Sequence, residues 1–145
     1  MSHAEYRVTV PFSPTEVFAF LADGMNEQKW RSAVRSVSLA SGPAGDVGAV
    51  YAQCLTGPGG REIAGDYRIT KATPPSMLAF DVIAGPARPT GTFTLTPDGD
   101  GTSVLFVLDV QPKGFMKLMG RMIQKTMDSE VRQLDNVARA MAPAE

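Results

Sequence analysis

The feature that most constrains this chain is its final stretch, about residues 114 to 141, where apolar side chains recur at helical spacing. Positions 115, 119, 122, 123, 127, 131, 134, 138 and 141 are apolar. Lys117, Arg121, Lys125, Asp128, Arg132, Asp135 and Arg139 form the opposite stripe. At 1.5 Å per residue such a helix is about 42 Å long, enough to cross a whole small domain. Its apolar stripe has to be buried against something.

What precedes it supplies the partner. From about residue 33 to 111 the chain alternates short β-type runs with turn residues. The expected strands are 33–40, 47–56, 61–72, 77–84, 89–96 and 102–110, after a first strand carried by Tyr6-Arg7-Val8-Thr9-Val10. Ser41-Gly42-Pro43, Gly57-Pro58-Gly59-Gly60, Pro74-Pro75 and Pro97-Asp98-Gly99-Asp100-Gly101 separate them. Connections this short imply an antiparallel meander. Between the first two strands, Ser13-Pro14-Thr15-Glu16 predicts a capped helix start, with Phe12 and Val17 placed to staple it. That helix ends at Asp23-Gly24, and a second short helical turn is expected over Asn26–Trp30.

Period-2 patterning assigns the strand faces. Ile63, Tyr67 and Ile69 share a face with Gly65, opposite Glu62, Asp66 and Arg68. Leu78, Phe80 and Val82 oppose Asp81, and Phe93 and Leu95 alternate with threonines. The last strand is apolar on both sides, with Asp109 favouring Val104, Phe106 and Leu108 inside. Glu62, Asp66 and Asp81 are thereby expected outside.

Composition bounds the function classes. A chain of 145 residues is one domain in size and spans 1–145 without a visible linker or repeat. Its net charge of -1, from 14 basic and 15 acidic residues, lacks the field that non-specific nucleic-acid binding needs. The lone cysteine, Cys54, excludes an internal disulfide and is expected to be a buried structural thiol. The lone histidine, His3, falls in a terminus expected to fray, which leaves nucleophilic catalysis without a base. One His and one Cys cannot build a zinc site, and Asp98-Gly99-Asp100-Gly101 reads as a hairpin turn rather than a calcium loop. No metal or cofactor is expected. With no signal-peptide pattern and no apolar run near ~18 residues, the expected compartment is the cytoplasm.

The element order is strand, two short helices, six strands, long helix. In that order, Val10-Pro11-Phe12-Ser13-Pro14-Thr15-Glu16-Val17-Phe18, Trp30, Gly65-Asp66-Tyr67-Arg68-Ile69-Thr70 before Pro74-Pro75, and Gly101-Thr102 resemble the START/Bet v1-like (SRPBCC) superfamily. Within it the chain is similar to the polyketide cyclase/dehydratase-like group, over nearly its whole length. The resemblance implies an α+β helix-grip fold. A curved seven-stranded antiparallel sheet would wrap the C-terminal helix, with a cavity between them for a lipid, polyketide or other small apolar molecule. Some superfamily members are enzymes and some are carriers, and fold does not choose between them.

Candidate ligand-binding residues are the inward aromatics Tyr67, Phe80 and Phe93, with Trp30, Tyr51 and Phe106. For any one of them core packing is the favoured account, and a pocket wall the alternative. Tyr67 is the one candidate for catalysis, as a hydrogen-bond donor or general acid. Phe115, Met119 and Met122, with Met116 and Leu118, spread apolar character around the start of the last helix, and Lys113, Lys117 and Arg121 stand beside them. A gate at the cavity mouth, a well-packed helix with a solvated basic face, and a weak membrane-surface contact all fit this segment. Arg88, between Pro86 and Pro89, could pair with a ligand carboxylate or simply be solvated. The leading reading is a binder or carrier of a small apolar or aromatic ligand. A polyketide cyclase/dehydratase-like enzyme and a module that grips a protein segment in the groove are its alternatives. Monomer and homodimer both remain open.

Overall fold

The computed structural model describes residues 2–111 and 114–143. Its sheet is antiparallel throughout, built from β1 (Ser2–Val10), β2 (Val34–Ser41), β3 (Val50–Thr56), β4 (Glu62–Ala64), β5 (Tyr67–Thr73), β6 (Met77–Val82), β7 (Thr90–Asp98) and β8 (Gly101–Val110). The strand order is β1-β8-β7-β6-β5-β3-β2, with β4 paired to β3. The helix-grip expectation therefore holds: a curved antiparallel sheet, with eight strands where seven were expected, a long C-terminal helical run and short helices after the first strand.

The expected single strand over 61–72 is two strands. β4 pairs with the end of β3 and β5 with its start, and Gly65-Asp66 interrupts the ladder between them. There the Asp66 carboxylate replaces a strand carbonyl, accepting from the backbone N–H of Gln53 at 3.2 Å. Asp66 is accordingly half-buried rather than on the solvent side, whereas Glu62 and Asp81 are exposed as expected. The first strand also begins earlier than its alternation suggested. His3 is not frayed: it pairs with Asp109 across β1 and β8, and its ring Nδ1 lies against the Asp109 carboxylate. Cys54, expected buried, is half-buried, because it alternates with the inward Tyr51, Gln53 and Leu55.

Helix α1 (Pro14–Ala22) starts as its sequence dictates, with Ser13 accepting from the Glu16 N–H at 3.3 Å and Pro14 in the first turn. It buries Val17, Phe18, Leu21 and Ala22. Asp23 ends it and caps a 3-10 turn over Gly24–Asn26, which leads into α2 (Glu27–Trp30).

The C-terminal run is helical but not uniform. Gly114–Met119 is 3-10, α3 spans Gly120–Arg132, Gln133–Asn136 tightens to 3-10 again, and α4 spans Val137–Met141. The buried stripe is Ile123, Met127, Val131, Leu134 and Val137. Each buried aliphatic of this kind contributes about 1.5–3 kcal/mol. Met122, expected in the stripe, is 44% exposed, and Leu118 is 88% exposed. No helix among the described residues is long and apolar enough to cross a membrane.

Candidate functional site

The interior is organised by a row of rings crossing five adjacent strands. Tyr51 on β3, Tyr67 on β5, Phe80 on β6, Phe93 on β7 and Phe106 on β8 each sit at the inward parity of their strand. Successive centroids are 5.3, 5.5, 6.0 and 4.4 Å apart. Register explains the geometry. Tyr51 lies opposite Tyr67 and Phe93 opposite Phe106, so these two pairs stack at interplanar angles of 22° and 21°. Phe80 lies opposite Gly91 and occupies the space a side chain there would take: a Cβ on Gly91 would come within 2.2 Å of the Phe80 ring.

Trp30, at the end of α2, closes over this row from the other side. Its ring meets Phe93 and Phe106 edge-on, with both centroids at 6.1 Å. Gly24 closes over the β3–β5 end. Its Cα rests against the Tyr51–Tyr67 stack so closely that a Cβ would fall 2.3 Å from the Tyr67 hydroxyl.

Around the rings stand polar groups that strand patterning did not reveal. The Arg31 guanidinium reaches Glu27 through Nη1 at 3.0 Å and Glu130 on α3 through Nε and Nη2 at 3.1 and 3.0 Å. All three side chains are largely buried, Glu27 the most. Burial pushes the Glu27 carboxyl upward, against the pull of Arg31. Burial works against the Arg31 charge, but the two carboxylates outweigh it and hold the guanidinium protonated above its ordinary range. Asn136 donates to the Trp30 carbonyl at 3.1 Å and Gln133 accepts from the Ser32 N–H at 3.1 Å, so polar contacts fasten α2 to the C-terminal run.

The Tyr67 phenol is raised far above its usual value, first by burial and then by the charge of Glu27. It is therefore a neutral hydrogen-bond donor and not a base. Among the described residues its hydroxyl has no hydrogen-bond partner, whereas the Tyr51 hydroxyl accepts from the Gly45 N–H at 2.9 Å. Two buried donors are also unpartnered among the described residues: Trp30 Nε1 and Gln53 Nε2.

The structure thus brings together Trp30, Tyr51, Tyr67, Phe80, Phe93 and Phe106. Met119 is half-buried and packs against the core, while Met122, Lys117 and Arg121 are exposed. Arg88 is exposed in the β6–β7 connection and donates to the Gly85 carbonyl at 3.3 Å. Lys113 and the side chains of Phe115 and Met116 lie outside the described residues. A separate open groove of about 340 Å³ runs between α1 and the β2–β3 connection, lined by Phe18, Ala22 and Gly45, none of them a candidate. The residues that sequence reasoning missed are Glu27, Arg31, Glu130 and Gln53. The four-residue spacing of Glu27 and Arg31 was a visible signal for an ion pair on a helix.

The model of the family described as "Polyketide cyclase / dehydrase and lipid transport" matches residues 1–140. Protein TTHA0849 of Thermus thermophilus is similar in structure at a TM-score of 0.81 and 17% identity, with 96% of each chain covered. A START superfamily protein from Mycobacterium smegmatis is similar at 0.78 and 12% identity, over 98% of this chain and all of the other. The di-domain ARO/CYC BexL of the BE-7585A biosynthetic pathway is similar at 0.75 and 18% identity, over 99% of this chain and 48% of that one. No curated protein matches the sequence. At these identities the structural likeness speaks for the fold alone.

Proposed function

The chain belongs to the polyketide cyclase/dehydrase and lipid transport family, and on that premise we propose that its interior binds a small apolar or aromatic molecule between the sheet and the C-terminal helix. The observation that carries this reading is the continuous ring row from Tyr51 to Phe106, flanked by buried polar donors without partners. A sheet face that served only as core would gain nothing from such donors, since each unpaired one costs about 1–3 kcal/mol. Ligand sites, by contrast, combine apolar walls with a few placed polar groups. The test is a native mass spectrum of the purified protein, followed by identification of any molecule released on denaturation. An apolar or aromatic adduct that leaves on unfolding supports the reading. A bare chain that also gives no thermal shift with lipids or aromatics sinks it.

One observation favours a catalytic version of the same site. Tyr67 is a buried phenol held neutral beside the Glu27 carboxyl. It suits donation to a carbonyl oxygen of the bound molecule as negative charge develops there. If that is its role, Tyr67→Phe retains capture of the molecule and abolishes its conversion. Equal conversion by the variant and the parent removes Tyr67 as an acid.

A further inference from the structure

The start of the C-terminal run is one-sided in charge. Four of the 14 basic residues, Lys113, Lys117, Arg121 and Lys125, fall between Gln111 and Met127, and none of the 15 acidic ones does. Lys117, Arg121 and Lys125 are exposed, follow one another at four-residue spacing, and form no ion pair among the described residues. The fold gains nothing from this placement. The first turn of α3 holds no acidic residue, and cations there oppose the helix dipole.

Beside the basic line runs an apolar one. Leu118 follows Lys117 and Met122 follows Arg121, again four apart. Leu118 is 88% exposed, and no other large apolar side chain among the described residues exceeds 50%. Ile123 and Met127 point the other way and are buried where α3 packs on β1 and β8. The outer face of this helix start is therefore apolar and basic at once, with nothing seated on it. We propose that it is a docking surface for an anionic lipid bilayer, with Lys117, Arg121 and Lys125 against the headgroups and Leu118 and Met122 entering the acyl boundary. Two features favour a bilayer over an acidic protein. Two apolar side chains fall far short of the roughly 800 Å² per partner of a stable protein interface, whereas a few of them beside several cations suffice for a peripheral lipid contact. The cations are mostly lysines, which are depleted at protein interfaces but suit diffuse headgroup charge. The proposal does not depend on the interior binding a ligand.

Flotation of the full chain with vesicles of equal parts phosphatidylglycerol and phosphatidylcholine, against vesicles of phosphatidylcholine alone, tests it. Binding is expected to the anionic vesicles only. It should vanish as salt rises from about 0.1 M to about 1 M, which shortens the screening length from about 10 Å to about 3 Å. Arg121→Gln and Lys125→Gln should each weaken it about fivefold. Leu118→Ser should weaken it about tenfold, through loss of a buried apolar side chain. Lys71→Gln, at an exposed cation of β5, should leave it unchanged. The lipid and salt comparisons use the parent protein and need no variant. Equal binding to both vesicles, or binding to neither, overturns the proposal, as does anionic binding that none of the three substitutions on this face weakens. Anionic binding that falls with Arg121→Gln but survives Leu118→Ser overturns it too, since a patch that reads charge alone fits an acidic protein surface instead.

Discussion

Replacing Arg31 by Met should cost this protein more than any surface ion pair would, and the cost should depend on pH in a defined direction. Arg31 is the sole cation of a largely buried triad, bonded to Glu27 at 3.0 Å and to Glu130 through two nitrogens. Methionine keeps much of the volume but leaves Glu27 buried opposite no positive charge. Stranding one partner of a buried pair costs about 3–5 kcal/mol. Glu130 is the more exposed of the two acids, and water recovers part of its loss, so the lower end, about 3 kcal/mol, applies. In a chain of this size that lowers Tm by roughly 6–12 °C. Glu27 already binds its proton more readily in the folded chain than ordinary glutamate does, because burial raises its carboxyl. For a raised acid the associated stability is present at low pH and is lost as pH rises through its folded value. Arg31 opposes that rise, so removing it widens the window. The deficit of Arg31→Met against the parent should be largest at neutral and alkaline pH and should shrink as the pH falls into the acid range, where Glu27 takes up its proton. Urea unfolding of both proteins across that range measures it. A deficit under about 1 kcal/mol that does not change with pH would mean that the triad behaves as a solvated surface network, and the argument from burial would fail.

Gly24→Ala should destabilise by about 1–3 kcal/mol, since its Cβ would meet the Tyr67 hydroxyl and the Tyr51 ring at once; thermal unfolding measures this, and a neutral result would show that the Gly24–Asn26 turn moves away freely. Gln53→Leu should stabilise the ligand-free protein by about 1 kcal/mol, through removal of an unpaired buried donor, and a loss of Tm would show that the amide is satisfied there. The His3 ring should titrate above the ordinary histidine range, chiefly because it hydrogen-bonds to Asp109, and Asp109→Asn should bring it down. A histidine proton titration by nuclear magnetic resonance reads both values, and an identical midpoint in the two proteins would refute the pairing.

What was legible in the sequence was whatever depends on periodicity. Alternation placed Tyr67, Phe80, Phe93 and Phe106 inward, and helical spacing placed Ile123, Met127, Val131 and Leu134 beneath the last helix. The cap at Ser13 was legible because an N-cap is a local contract between neighbours in sequence. What escaped was set by contacts far apart in the chain. The interruption at Gly65-Asp66 exists because an Asp side chain accepts from Gln53, which no count of alternating residues contains. Met122 lies within the apolar repeat, yet it is exposed where Ile123 is buried. Two adjacent apolar positions point about 100° apart on a helix, and only the sheet beneath decides which of them it covers.

The polar half of the site was the least legible part, for a reason that bears on function. Glu27 and Glu130 occupy helix positions where charge ordinarily means solvent, Arg31 follows the end of α2, and each reads as surface when its own segment is considered alone. They are buried because α2 lies between β2 and the C-terminal run, so that one segment faces the interior with Trp30 and the long helix with Arg31. A segment of four residues has too little apolar area to be held by packing alone. Beside the burial of Trp30, its attachment is the Arg31–Glu130 contact, the Asn136 bond to Trp30 and the Gln133 bond to Ser32. The same contacts fix the indole over Phe93 and Phe106. The triad and the ring row are therefore one construction, in which buried charge holds the aromatic wall in place. Loosening Arg31 should therefore disturb the Trp30 signal before it disturbs the sheet.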